Sequence, residues 1–299
     1  MKGLDRVKAF YDSTLLPALK EEFPTSWDSI FISKKGRGSE CYGFDDEISK
    51  DHDYNHNVQI VLTEEQDRAF GFKLMRFYHQ FEEKGTKSIF REKRDGIFSL
   101  PEFLEQLIGS STVPTTPFEY LKIPEHALYE AQNGAILQEG DGVVLSAMKA
   151  IDHVPLDVYR QRLAAHLTLA YQAGVYNALR MLKRGDEEAF QLCINLYIEH
   201  ISCSLFAINQ KNAPYYKWRF RALHELPLGR NVVALLSSLL LNKESDKISL
   251  ITSINNELLT LLCSQSFTTN NPGTLALAAL QVREKIEDKR VRSLHIMEY

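Results

Sequence analysis

Residues 38–53 read Gly38-Ser39-Glu40-Cys41-Tyr42-Gly43-Phe44-Asp45-Asp46-Glu47-Ile48-Ser49-Lys50-Asp51-His52-Asp53, a glycine–serine pair followed by a run of acids. Gly38 lets the backbone approach a ligand closely, and Ser39 adds a hydroxyl, a pairing suited to phosphate oxygens. Asp51 and Asp53 are alternate residues, so an extended strand points both carboxylates to one side. Magnesium needs only one or two protein carboxylates, because water and substrate phosphate complete its octahedron. The spacing suits a nucleoside triphosphate carried with that ion. The same acids, together with Asp45, Asp46 and Glu47, also read as a polar connector between the apolar runs at 30–33 and 58–62.

Outward from this stretch, the first half of the chain predicts mixed α/β structure. Leu4, Val7, Phe10, Tyr11, Leu15 and Leu19 recur at helical spacing, and residues 30–33 form a short strand leading to Gly36-Arg37-Gly38-Ser39. Lys34, Lys35 and Arg37 read as a solvated loop. Residues 58–62 predict a second strand, and Thr63 with Gln66 gives a capping-box start to a helix carrying Phe70, Leu74, Phe77, Tyr78 and Phe81. Ser99 with Glu102 opens another helix. Asn133-Gly134, flanked by residues 127–131 and 135–138, predicts a two-residue hairpin that completes the sheet.

From about Leu156 onward, long helical patterns dominate, broken near Gly185-Asp186, 212–214, 227–229 and 271–273. Val158, Leu163, His166, Leu167, Ala170, Leu179 and Leu182 mark one expected buried face, and Leu192, Leu196, Ile201, Leu205 and Ile208 mark the next. The expected class is therefore α+β, with a mixed-sheet domain over 1–150 and an all-α helical bundle over 151–299. The 299 residues are 44% hydrophobic and 25% charged, which supports a sizeable core. A net charge of -4 argues against broad nucleic-acid binding. Cys41, Cys193, Cys203 and Cys263 form no CxxC pair, so reduced thiols in the cytoplasm are expected. The N-terminus has no signal-peptide core, and no apolar run reads as long enough to span a bilayer.

Gly38-Ser39 followed by Asp51-His52-Asp53 resembles the pattern of nucleotidyltransferases of the DNA polymerase beta-like superfamily. The fuller string is similar to a bacterial family of unknown function, numbered 4037, that is thought to share this fold. The resemblance continues through Tyr176-Asn177, Arg180, Arg184-Gly185-Asp186 and Pro214-Tyr215-Tyr216-Lys217-Trp218. His52 and Tyr54 stand where the superfamily usually has aliphatic residues, and Lys50 precedes the first acid. The resemblance implies a nucleotidyltransferase that binds ATP against Gly38-Ser39 and holds magnesium on Asp51 and Asp53. It would transfer AMP to a hydroxyl of a small molecule, a protein or an RNA and release pyrophosphate. A catalytically silent nucleotide-binding or partner-binding protein is the alternative.

Phosphoryl transfer on two metals calls for a third acid near the attacking hydroxyl. Glu130 is the choice, on an expected strand before Asn133-Gly134 with Leu128 and Tyr129 packing beside it. It also reads as an exposed hairpin glutamate, and Glu119 and Asp141 are the other candidates. In the bundle, Lys217 and Arg221 are expected to share a helical face, as are Arg180 and Arg184, and either pair could meet a triphosphate. Surface ion pairs and a core role for Trp218 account for the same residues. His166 and His200 read as buried structural histidines; His52 and His56, four apart near the acids, make a transition-metal site conceivable, but on a strand His52 would point away from Asp51 and Asp53 and reads as a packing or supporting residue.

Overall fold

The computed structural model describes residues 2–51, 55–82, 94–241 and 246–299. The chain divides into two compact units, one made of Met1–Pro114 and Ile123–His153, the other of Thr115–Lys122 and Val154–Tyr299. The fold class is α+β, and all described strands belong to the first unit.

Four strands build that unit's sheet: β1 (Phe31–Lys34), β2 (Gln59–Leu62), β3 (Gly96–Ser99) and β4 (Ala135–Gln138). Their order is β3-β2-β1-β4, with β1 antiparallel to both neighbours and β2 parallel to β3, so the sheet is mixed. Alternation along the central strands sends Ile30, Ile32, Ile60 and Leu62 to one core, where Val7, Tyr11, Leu15 and Leu19 of the N-terminal helical run meet them with Leu74 and Tyr78. Both central strands are buried along their whole length. Thr63 and Ser99 each start a helix with a reciprocal capping box to Gln66 and Glu102, as their spacing predicts.

The strands differ from expectation at two places in this unit. Residues 127–131 are not a strand: the helix Glu125–Gln132 runs directly into Asn133, and only Ala135–Gln138 joins the sheet, against β1. Asn-Gly closes hairpins, but it also ends helices, and here the helix takes it. β3 escaped the sequence reading because its four residues have too little alternation to stand out from a turn.

The second unit is a helical bundle, with no strand among its described residues. Leu156–Ala170 is its central helix and is buried on most sides, down to Arg162, whose guanidinium donates to the Asn212 side chain at 2.7 Å and to the Tyr120 carbonyl at 3.3 Å. It packs chiefly against Glu187–Ile208 and Leu275–Glu284. By length and composition Glu187–Ile208 could cross a bilayer, contrary to the sequence reading, yet 67% of its apolar window is buried as a core helix would be. The expected buried faces hold only in part. Leu179, Leu182, Leu192 and Leu196 are exposed by 36%, 51%, 64% and 50%, because these helices are apolar on more than one side and the stripe that packs is another one.

Candidate functional site

The segment between β1 and the short helix Ser39–Tyr42 is held from several directions. Lys34 and Lys35 are buried, not solvated as the sequence suggested. The Lys34 ammonium donates to both Asp95 oxygens at 2.9 Å and lies 3.7 Å from Glu40. Burial lowers its pKa, but Asp95 and then Glu40 more than offset this, and the group is held above the ordinary lysine value. Glu40 is pushed up by burial despite Lys34, so Asp95 is the partner that balances the buried charge. Lys35 is lowered by burial, and its ammonium donates to the carbonyls of Ala131 and Asn133 at 3.0 and 3.1 Å. It thereby satisfies carbonyls at the end of the Glu125–Gln132 helix.

Asn133 does the corresponding work for the backbone. Its amide accepts from the Gly36 N–H at 3.0 Å and donates to the Gly36 carbonyl at 2.9 Å, so one side chain imitates a neighbouring strand. Gly36 has φ +109°, which a side-chain-bearing residue rarely adopts. Gln59, at the start of β2, accepts from the Lys35 N–H and the Ser33 hydroxyl and donates to the carbonyls of Lys35 and Arg94. Every one of these contacts fixes the end of β1. Gly38 then stands as the N-cap residue of Ser39–Tyr42, with the Glu40 carboxylate folded over it.

Glu130 belongs to this neighbourhood, although on a helix and not on the expected strand. It is buried, accepts from the Tyr42 hydroxyl at 2.8 Å and lies 3.6 Å from Arg37 Nε. Tyr42 is stacked on Tyr129 with ring centroids 5.1 Å apart. The structure thus brings Gly38, Ser39 and Glu130 into one region through Arg37 and Tyr42. Burial pushes the Cys41 thiol far up, so it is no nucleophile at neutral pH. Asp51 closes the 3-10 turn Ile48–Asp51, which corrects the expected strand at that residue: the turn is nucleated by Asp46, whose carboxylate accepts from the N–H groups of Ile48 and Ser49. Asp53 and His52 lie outside the described residues. His56 packs its ring on Phe10, with centroids 4.0 Å apart.

The other candidates are dispersed. Asp141 caps the start of Val143–Asp152 and accepts from Gln66 at 3.1 Å. Glu119 is exposed and caps Pro117–Leu121, and backbone and side-chain hydrogen bonds from Thr115 hold its carboxyl below the usual range. In the second unit Arg180 and Arg184 are exposed on Ala178–Arg184, and Arg180 donates to the Tyr176 hydroxyl at 2.6 Å. Lys217 and Arg221 do not share one helical face. Lys217 is in the 3-10 turn Tyr216–Trp218 and Arg221 is on Arg219–His224, and each places its cation over the Trp218 ring, at 5.0 and 5.2 Å.

Asp95 and Gln59 were absent from the sequence reading, and Asn133 and the two lysines entered it only as a hairpin residue and a solvated loop. The available signal was polarity out of place: Gln59 interrupts an apolar strand, and Lys34-Lys35 continue one.

Residues 120–219 match the family described as Domain of unknown function (DUF4037), the family that the sequence resemblance names. The match includes Glu130, Arg180, Arg184 and Lys217, and Gly38 to Asp53 lie outside it. The chain is also similar to the crystal structure of a nucleotidyltransferase-like protein from Exiguobacterium sibiricum 255-15. That likeness has a TM-score of 0.38 and 11% identity, over 87% of this chain and 77% of that one. No protein of curated function matches the sequence.

Proposed function

We propose that this protein is a magnesium-dependent nucleotidyltransferase that moves a nucleoside monophosphate, AMP from ATP, onto a hydroxyl of an acceptor. The observation that carries the reading is the placement of Gly38-Ser39 at a strand-to-helix junction whose approach is fixed by Gln59, Asn133 and the Lys34–Asp95 pair. A backbone so restrained is pre-organised to meet phosphate oxygens without reorganising at the moment of reaction. The Ser39 hydroxyl would donate to one of those oxygens.

Asp51 and Asp53 supply hard oxygen donors, the chemistry magnesium takes, and would hold it. When bound, magnesium neutralises charge on the phosphates and on the leaving oxygen. The acceptor oxygen forms a bond to the α-phosphorus, the bond from that phosphorus to the bridging oxygen breaks, and pyrophosphate leaves. Glu130 would orient the hydroxyl and take its proton, with Tyr42 and Arg37 steadying the carboxylate.

The second reading, a catalytically silent nucleotide-binding or partner-binding protein, is favoured by that same engagement of Glu130. Pyrophosphate release from ATP, followed with and without magnesium in the presence of small-molecule, protein and RNA acceptor pools, separates the two. Magnesium-dependent release supports the transferase. Nucleotide binding without release from any pool supports the silent protein.

A further inference from the structure

Gly38 is a glycine for room and not for conformation. Its φ of -66° and ψ of 141° are extended backbone that any residue adopts. A side chain on residue 38 would nonetheless begin where the Glu40 carboxylate stands, because that carboxylate is folded back across the glycine. An anion therefore already occupies the face of Gly38 that the phosphates are to approach. Its position has a cause: the buried Lys34 ammonium lies 3.7 Å away, and the Lys34 and Glu40 side chains are only 5% and 14% exposed. The Glu40 backbone N–H also donates to the carboxylate.

This carboxylate is surplus to the local charge balance. Lys34 is already paired with Asp95, which accepts from it through both oxygens at 2.9 Å. Burial penalises the charge on Glu40, and Asp95 and Asp45 repel it, so its carboxyl is held above the usual range in spite of Lys34 and the N–H. The ionised side chain is less stable here than in water, and turning out to solvent recovers the difference. A phosphate group suits the place better, since it offers more acceptor oxygens and arrives with magnesium neutralising part of its charge. Like charges in contact repel too strongly for both anions to share it. We propose that the Glu40 carboxylate is an internal stand-in for phosphate, and that the phosphate chain of the nucleotide displaces it and takes its place against Gly38 and the Lys34 ammonium. Glu40 then faces solvent, and Lys34 becomes a phosphate ligand without leaving Asp95. The exchange rests on the transferase reading in one respect, that a triphosphate comes to this junction.

Calorimetric titration of ATP with magnesium into the full-length wild type and Glu40→Gln tests it. The substitution removes the competing charge and keeps the volume, so the variant is expected to bind roughly tenfold more tightly. A residue that merely supports the junction would lose affinity on the same change. Equal or weaker binding by Glu40→Gln, with wild-type binding intact, would overturn the displacement and leave the transferase reading standing. Binding by neither protein would overturn both. Should the variant fail to fold, a crystal structure of the wild type with magnesium and a non-hydrolysable ATP analogue decides. The expected result is a phosphate oxygen beside Gly38 and Lys34 with Glu40 turned to solvent. Phosphates bound while Glu40 still covers Gly38 would refute the exchange.

Discussion

Gly134 holds the candidate site together by what it lacks. With φ +74° it would be strained by any side chain, and a Cβ there would stand 2.0 Å from the Lys34 carbonyl oxygen. Gly134→Ala is therefore expected to lower stability by more than about 1 kcal/mol and to disturb the end of β1, measured by urea unfolding. The Lys34–Asp95 pair is the second lever. Asp95→Asn leaves a buried ammonium with only the more distant Glu40, a loss of about 3–5 kcal/mol at neutral pH. Because the folded-state pKa of Lys34 is raised, its contribution is fully present below the unfolded lysine value of about 10.4 and is lost as pH rises through the folded value. In Asp95→Asn the burial that lowers Lys34 is no longer offset by Asp95, so the buried amine gives up its proton at a lower pH than in the wild type, and the stability gap, widest at neutral pH, should narrow as pH rises. Equal stability of the two proteins at neutral pH would contradict the pairing.

At the scale of elements, the sequence made some features plain and hid others for identifiable reasons. Capping boxes at Thr63 and Ser99 were legible because they need only two residues three apart. The central strands were legible because each carries a run of three apolar residues, at 30–32 and 60–62. Glu125–Gln132 was misread because it precedes Asn-Gly, a signal shared by hairpins and helix ends, and because eight residues hold barely two turns of period. Its true placement matters for function, since its last turn accepts from Lys35 and carries Glu130 to Tyr42. The site's supporting polar residues were hidden for a further reason: Lys34 meets Asp95 and Gly36 meets Asn133 only once the sheet exists. Ser39, at the junction these elements fix, carries its own prediction. Ser39→Ala should weaken triphosphate binding by about 1.5–3 kcal/mol, the worth of one hydrogen bond to a charged group, with the melting temperature nearly unchanged. Equal affinity in calorimetry would remove Ser39 from the site.

At the scale of the whole molecule, sequence order and compact units do not coincide. Residues 115–122 pack with the helical unit, and 123–153 return to the sheet. The matched segment 120–219 runs through this exchange and includes both the Asn133-Gly134 clamp and the first helices of the bundle. The clamp and the Gly38-Ser39 junction are far apart in sequence and joined in space by Gly36, Lys35 and Cys41, the last accepting from the Gly134 N–H at 3.0 Å. The central claim is that this junction binds a triphosphate with its metal on Asp51 and Asp53. Calorimetric titration of ATP, with and without magnesium, into the wild type, Asp51→Asn and Asp53→Asn tests it most directly. Magnesium-dependent binding is expected in the wild type and its loss in both variants, with melting temperatures preserved because each change removes charge and little volume. Undiminished magnesium-dependent binding in the two variants, or wild-type binding that ignores magnesium, would contradict it.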